Sequence, residues 1–188
     1  MKVLLINGSP HEKGCTYTAL SLIAGELKAQ GIETEILHVG GQPVGGCIGC
    51  GGCRSGNGCV FGGVVNEAIE KAKTADGFVF GSPVHYASAS GNMTSFMDRL
   101  SYAGGKYLAY KPAAICCSAR RAGTTTTLDQ LVKYPQVFHM PLVNGSYWAM
   151  VHGSNPEQVL QDAEGCAVMQ ELGRNMAWLL HCIEAGKA

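Results

Sequence analysis

Hydroxyls and glycines with the capacity to bind an anion follow the short apolar run at residues 3–6. Gly8 and Pro10 end that run, and the 3.6-residue apolar period around Leu20 predicts a helix that begins soon afterwards. The first N–H groups of a helix have no intrahelical partner and lie at the positive end of its dipole, so they favour anions. Three hydroxyls lie in the same stretch: Ser9, Thr16 and Thr18. The stretch therefore predicts a site for a phosphate monoester.

Other phosphate ligands fit this loop less well. It lacks the Gly-Lys-Ser/Thr ending of a loop that binds nucleoside triphosphates, and it contains no G-x-G-x-x-G. Residues 38–41, which follow the second predicted strand, offer no acid for a ribose. A Rossmann-type dinucleotide site is thus disfavoured, and an ordinary strand-to-helix turn stays open as the alternative.

A second group of chemically capable residues is the cysteine set in the glycine-rich segment 40–63. Cys47, Cys50, Cys53 and Cys59 are separated by two, two and five residues. Such spacing permits a [4Fe-4S] cluster, because glycines between the cysteines let the backbone turn tightly enough to aim four thiolates. Zinc is a poorer fit, since its usual sites pair two separated knuckles. Free or oxidisable thiols are the third alternative.

Strands and helices alternate along the chain. The predicted strands are residues 3–6, 33–39, 78–80, 112–117 and 141–145. The predicted helices follow them, the first through residues 20–27 with its end at Gly31 and the others near 64–72, 92–102, 125–133 and from 156 onward. The last helix is expected to bury Leu160 with Val168 and Leu172. This alternation predicts a parallel sheet with helices on both faces and ligands at the carboxyl ends of its strands.

That topology brings three loops to one edge of the sheet. The phosphate loop follows the first strand, residues 82–86 follow the third, and residues 118–124 follow the fourth. A phosphate held by the first loop would place a planar group over Pro83, His85 and Tyr86, and this shape fits FMN. Each loop alone has a plainer explanation: Pro83 can simply end a strand, and Arg120 with Arg121 can be a solvated surface pair.

Composition limits the class of partner. The 188 residues suffice for one domain, 1–188, and 14 basic and 14 acidic side chains leave a formal net charge of zero. No basic patch for nucleic acid and no long apolar span for a membrane is visible, so the expected partner is a small molecule. Nine cysteines without an export signal indicate a cytoplasmic protein with thiols or metal ligands.

These motifs together resemble a known family. The residues that carry the resemblance are Gly8-Ser9-Pro10 with Gly14 and Thr16, the cysteines from Cys47 to Cys53, residues 81–86, and residues 118–123. They resemble the flavodoxin-like NAD(P)H-dependent FMN reductase family and, within it, the iron-sulfur flavoprotein branch. The resemblance implies a three-layer flavodoxin-like α/β fold with a five-stranded parallel sheet of order 2-1-3-4-5. It further implies bound FMN, electrons from NAD(P)H or a ferredoxin-type carrier, a small acceptor such as flavin or quinone, and a homodimer or homotetramer.

The family's site residues carry over by motif position. The phosphate would be held by Ser9, His11, Cys15, Thr16 and Tyr17, the ring by Pro83, Val84, His85 and Tyr86, and its other edge by Ser118, Ala119, Arg120, Arg121 and Gly123. His85, Tyr86 and Arg120 are expected beside the ring. The family often has arginine at His11 and asparagine at Cys15, which weakens the expected charge compensation of the phosphate.

Two other classes of function remain open at this stage. One is an electron-transfer protein without a substrate of its own, and the other is a module that binds a different phosphate ligand on the same fold. The motifs do not choose between NADH and NADPH.

Overall fold

A parallel β-sheet forms the centre of the molecule, which is described by a computed structural model over residues 1–187. The parallel strands are β1 (Lys2–Asn7), β2 (Glu33–His38), β3 (Gly77–His85), β5 (Ala113–Ala119) and β6 (Met150–His152). Their order across the sheet is β2-β1-β3-β5-β6, and the two-residue β4 (Ser88–Ala89) pairs antiparallel with the end of β3. The predicted order of the five parallel strands is therefore confirmed, with β5 and β6 as the fourth and fifth.

Helices cover both faces of this sheet. They are α1 (Cys15–Ala29), α2 (Val64–Thr74), α3 (Gly91–Gly104), α4 (Thr124–Val137), α5 (Pro156–Gln161) and α6 (Ala163–Ala185). In β1, Val3 and Leu5 pack into the core with α1 and α6, whereas Leu4 and Ile6 pack into the core with α2 and α3. A strand that is buried on both faces reads as a continuous apolar run, which explains residues 3–6. Within residues 1–187, no helix has the length and apolar composition needed to cross a membrane.

The fifth parallel strand does not lie where the sequence predicted it. Residues 141–145 make only one bridge to β5, between Leu142 and Ala113, and the strand proper is β6. The prediction was wrong because the apolar run is interrupted at Asn144 and Gly145, where the chain packs against α6. A Cβ at Gly145 would lie 2.9 Å from the Val168 carbonyl oxygen, so only glycine allows this approach.

The predicted last helix is divided in two at Asp162. The Asp162 carboxylate accepts hydrogen bonds from the backbone N–H groups of Gly165 and His152, at 3.0 and 2.8 Å, and so caps α6 and ends α5. Leu160 lies 59% exposed on α5, and its predicted burial is wrong. Val168 and Leu172 on α6 are buried as predicted.

Candidate functional site

The loop between β1 and α1 ends at a helix N-terminus that no side chain caps. Gly14 precedes α1, which starts at Cys15, and the first turn of α1 contains no acidic residue. The loop is held by its own hydrogen bonds: Ser9 N–H donates to Asn7 Oδ1 and His11 N–H donates to Ser9 Oγ, both at 3.1 Å. The free N–H groups at the start of α1 therefore face a preformed loop, which is the arrangement that binds a phosphate.

Two buried hydroxyls connect this helix start to β5. Thr16 Oγ1 lies 2.8 Å from Ser118 Oγ, and the two residues are 1% and 4% exposed. The neighbouring Cys15 thiol instead donates to the Gly153 carbonyl oxygen at 3.6 Å, and burial raises the pKa of this thiol. Cys15 therefore has its backbone N–H, rather than its sulfur, to offer a ligand of the loop.

The second predicted loop is a tight hairpin rather than the end of a strand at Pro83. β3 continues to His85 and turns back into β4 through Tyr86 and Ala87, whose φ angles are 50° and 57°. Two-residue hairpins favour positive φ at both turn positions, but side chains other than glycine and asparagine adopt it at a cost. The Tyr86 side chain is fully exposed, so it is held out from the edge of the sheet.

The third predicted loop packs directly on that hairpin. Gly123 has a φ of +95°, and a Cβ there would lie 2.6 Å from the Cα of Ala87. The loops enclose a shallow pocket of about 330 Å³. Its lining residues are Val84, Tyr86, Ala87, Ala119, Arg120, Arg121 and Ala122. Arg120 and Arg121 are exposed, as a pair at the rim would be.

The first loop is tied to the second by main-chain and serine hydrogen bonds. Gly8 N–H donates to the Gly81 carbonyl oxygen at 2.9 Å, and Ser90 Oγ donates to the Gly8 carbonyl oxygen at 2.7 Å. Ser90 N–H in turn donates to Ser82 Oγ at 3.0 Å. All three loops that the sequence expected to meet are thus joined at the carboxyl edge of the sheet.

The four cysteines of the segment 40–63 line one pocket of about 580 Å³. Cys47 and Cys50 are exposed, Cys53 and Cys59 are half-buried, and all four are free thiols. No three or more histidine, cysteine, aspartate or glutamate side chains in residues 1–187 gather closely enough to hold one metal ion. The donor set still fits a [4Fe-4S] cluster, because its cysteines ligate separate irons around a larger body.

Several polar residues that sequence reasoning missed hold this segment in place. Asn92 on α3 accepts a hydrogen bond from Val44 N–H at 3.1 Å and donates to the Gly40 carbonyl oxygen at 3.0 Å. Arg99, also on α3, is only 6% exposed and contacts Cys59 Sγ. Both are polar residues of a predicted helix, and the prediction considered only the apolar face of that helix.

His152 lies beyond the predicted fifth strand, where the sequence left open that it lines the pocket or an oligomer contact. It ends β6, and its Nδ1 lies 3.6 Å from Asp162 Oδ2, while its backbone N–H donates to the same oxygen. The carbonyl oxygen of the next residue, Gly153, accepts the hydrogen bond from the Cys15 thiol. His152 therefore lies close to the start of α1, at the same edge as the three loops.

Comparison with known proteins agrees with this geometry. A model of the family described as NADPH-dependent FMN reductase matches residues 1–155. The chain belongs to this family. An iron-sulfur flavoprotein of Methanocaldococcus jannaschii is 29% identical over 98% of the chain and 100% of its own length. An iron-sulfur flavoprotein of Methanosarcina thermophila is 23% identical over 100% of the chain and 99% of its own length. The resemblance to this branch of the FMN reductase family is confirmed.

Solved structures confirm the flavodoxin-like fold. The chain superposes on RosB, solved with bound 8-demethyl-8-formylriboflavin-5'-phosphate, with a TM-score of 0.78 and 13% identity over 100% of this chain and 82% of that one. It superposes on a flavodoxin from the domain Archaea with a TM-score of 0.64 and 14% identity, over 96% and 99% of the two chains. At these identities the likeness concerns the fold alone.

The residues of this FMN reductase family member fit FMN. The α1 N-terminus offers free N–H groups without a competing acid, and Ser9, Thr16 and Ser118 add hydroxyls beside it. A pocket of about 370 Å³ between the first two loops is lined in part by Gly8, Pro10 and His85. The N–H groups at the start of α1 suit a phosphate monoester, and the pocket beside His85 suits an attached planar group.

Proposed function

We propose that this member of the FMN reductase family binds FMN and transfers electrons through it from NAD(P)H, or from a ferredoxin-type carrier, to a small acceptor such as flavin or quinone. The observation that carries the proposal is the junction of three loops around the uncapped start of α1. The family membership supports the choice of FMN over another phosphate ligand.

The proposed roles follow the three loops. The phosphate is held by Ser9 and His11, by the first N–H groups of α1 at Cys15, Thr16 and Tyr17, and by the hydroxyl pair of Thr16 and Ser118. The ring is flanked by Pro83, Val84, His85 and Tyr86 on one side and by residues Ala119, Arg120, Arg121 and Gly123 on the other.

FMN, when bound, supplies the ring that accepts hydride or single electrons. The chain's own task is to position that ring and leave one of its faces open to the donor and the acceptor. The exposure of His85, Tyr86 and Arg120 suits groups that touch the ring or a substrate, and the proposal needs no side chain as a general acid or base.

Binding and turnover test this proposal separately. FMN is added to flavin-free protein, the mixture is desalted, and flavin absorbance is measured; absence of retained flavin refutes the central assignment. Steady-state oxidation of NADH and of NADPH with quinone or free flavin then tests the enzyme. Flavin that is reduced only by reduced ferredoxin, without NAD(P)H turnover, supports an electron carrier instead.

The cysteine pocket favours a second component of this function, a [4Fe-4S] cluster held by Cys47, Cys50, Cys53 and Cys59. The pocket that all four line supports it, as do the names of the two iron-sulfur flavoproteins. Anaerobic purification, iron and sulfide assays and electron paramagnetic resonance after dithionite should show about four irons per chain. Cys50→Ser should lose this iron, whereas Cys182→Ser, at an exposed cysteine on α6, should keep it. Retention of flavin without iron leaves an FMN oxidoreductase with free thiols.

We also propose that the chain forms a homodimer or homotetramer. The segment 40–63 exposes apolar side chains that a partner subunit would cover: Ile48 is 70% exposed, Val60 62% and Phe61 54%. Light scattering at micromolar concentration with flavin bound checks this, and a monomer would refute it.

A further inference from the structure

Arg99 is a buried cation whose donors are directed at the cysteine segment. Its Nε–H donates to Cys59 Sγ at 3.2 Å, and its two terminal nitrogens donate to the carbonyl oxygens of Gly45 at 3.3 Å and Gly62 at 3.0 Å. The guanidinium also lies 5.6 Å from the ring centre of Phe61. One side chain of α3 therefore contacts the segment before its first cysteine and after its last.

The charge of Arg99 has no carboxylate partner. None of the ion pairs within residues 1–187 includes this arginine. The nearest acidic residue in sequence, Asp98, accepts a hydrogen bond from the Tyr134 hydroxyl at 2.7 Å. Buried charges are normally paired because an unpaired one loses its hydration without compensation. The remaining group in contact that can carry negative charge is the sulfur of Cys59.

The backbone of Cys59 is fixed from the other side by α2. Asn66 Oδ1 accepts from Cys59 N–H at 2.8 Å, and Asn66 Nδ2 donates to the Cys59 carbonyl oxygen at 3.0 Å. Cys47 and Cys50, in contrast, are exposed and their segment turns at glycines with positive φ, such as Gly49 and Gly51. Cys59 is thus the cysteine of the four that side chains of two helices, α2 and α3, hold in position before any ligand binds.

We propose that Arg99 is the positioning residue of the cysteine pocket: it supplies the fixed positive charge opposite an anionic sulfur site and, with Asn66, presents Cys59 as the anchored ligand. This inference rests on the proposed function only for the identity of the group that binds in the cysteine pocket, a [4Fe-4S] cluster. Metal-bound cysteines are deprotonated, so any thiophilic cation or cluster bound here brings anionic sulfur beside Arg99. A hydrogen bond to a ligand sulfur and a nearby positive charge both stabilise the state with one more electron.

The charge is tested on iron-free protein with two alkylating reagents of different charge. Iodoacetate is an anion and iodoacetamide is neutral, but both alkylate the same sulfur. The rate with iodoacetate divided by the rate with iodoacetamide, measured at one cysteine by mass spectrometry at one pH, therefore reports the local charge. In wild type, this ratio at Cys59 should exceed the ratio at exposed Cys47 by about fivefold, the preference produced by one positive charge about 4 Å away in water. Added salt should reduce the difference. Equal ratios at the two cysteines would overturn the inference without any variant.

Matched variants separate charge from structure. Arg99→Gln should bring the Cys59 ratio down to that of Cys47, and Arg99→Lys should retain most of the difference. Arg54→Gln removes an arginine that lines the same pocket, whereas the hydrogen bond to Cys59 Sγ comes from Arg99, and this variant should leave the ratio unchanged. Asn66→Ala releases the backbone of Cys59 and keeps the charge, so the ratio should persist. A ratio unaffected by Arg99→Gln refutes the assignment.

The iron-loaded protein gives an independent measurement. Redox titration followed by electron paramagnetic resonance should show a lower reduction potential in Arg99→Gln than in wild type, with Arg99→Lys closer to wild type. Asn66→Ala should lose iron faster to a chelator at an unchanged potential. Wild-type protein that takes up no iron contradicts the iron-sulfur component of the proposed function, while the alkylation ratio still decides the role of Arg99.

Discussion

The hydrogen bond between Thr16 and Ser118 gives a prediction with two readouts of opposite behaviour. Thr16→Val keeps the side-chain shape but leaves Ser118 Oγ, which is 4% exposed, without its 2.8 Å partner. An orphaned buried hydroxyl costs about 1–3 kcal/mol of unfolding free energy, whereas removal of both partners is nearly neutral. The double variant Thr16→Val/Ser118→Ala should therefore be more stable than the sum of the two single changes by about 1–2 kcal/mol.

FMN affinity should not recover in the double variant. The bond between Thr16 and Ser118 uses one of their two hydroxyl protons and leaves the other to donate to the phosphate. A hydroxyl that donates to a charged phosphate contributes about 1.5–3 kcal/mol, so the double variant should bind FMN about 10- to 100-fold more weakly. Riboflavin lacks the phosphate and serves as the matched ligand. Its affinity for the variants should be almost the same as its affinity for the wild-type protein.

Urea unfolding of the four flavin-free proteins and fluorescence titration with both flavins measure these effects. Strict additivity of the unfolding free energies would contradict the 2.8 Å contact. Equal losses of FMN and riboflavin affinity would show that the hydroxyl pair does not face the phosphate.

Three further predictions concern the frame of the site. Gly123→Ala should cost about 1–3 kcal/mol of stability and weaken FMN, because its Cβ meets Ala87 and its φ is +95°; Gly25→Ala, in open space on α1, should instead stabilise by about 0.5–1 kcal/mol. Burial raises the pKa of the Cys117 thiol from 9.0 to about 12, so the unfolded chain loses this proton first. The contribution of this thiol to stability should be constant below about pH 9 and be lost between pH 9 and 12, so that denaturant unfolding shows a smaller decline over this range in Cys117→Ala. Asp162→Ala removes the cap of α6 and should lower the unfolding free energy by about 0.5–2 kcal/mol in the same assay.

The fold was largely predictable because the apolar pattern of most helices and strands indicates which of their faces are buried. The apolar run of β1 and the 3.6-residue period of α1 are local signals, and alternation of strands and helices restricts the topology. The position of β6 was not predictable from such signals. Leu142 and Val143 have the apolar character of strand residues, and Leu142 makes a single bridge to the sheet. At Gly145 the backbone instead packs against Val168 of α6, and this contact between distant parts of the sequence leaves no local signal.

The candidate site divides in the same way. That the loops after β1, β3 and β5 meet follows from the sheet order, and the structure joins them as expected. The direction of the Cys15 thiol and the positive φ angles of Tyr86 and Ala87 depend on Gly153 and Gly123, which come from other loops. The sequence therefore predicted which loops meet better than which atoms each loop presents.

The two candidate sites have separate linings, which makes direct reduction of the flavin and reduction through the cysteine pocket distinguishable in one protein. Phe61 and Arg99 line the cysteine pocket and also a neighbouring pocket of about 750 Å³ that includes Pro10 and Glu12 of the first loop. His85 at the end of β3 and Tyr86 in the following turn are exposed, and neither lines the cysteine pocket.

A donor that delivers hydride directly to the ring therefore needs no access to the cysteines, whereas a carrier that feeds the cysteine pocket does. Alkylation of the iron-free thiols, followed by reconstitution with iron, sulfide and FMN, should abolish reduction of the flavin by ferredoxin and leave reduction by NAD(P)H intact, whereas unmodified protein reconstituted in the same way should show both reactions. Stopped-flow absorbance of the flavin measures both reactions, with Cys182→Ser as the control for modification outside the segment. Loss of both reactions to the same extent would mean that the cysteine segment covers the flavin itself, so that both donors reach the ring through the same opening.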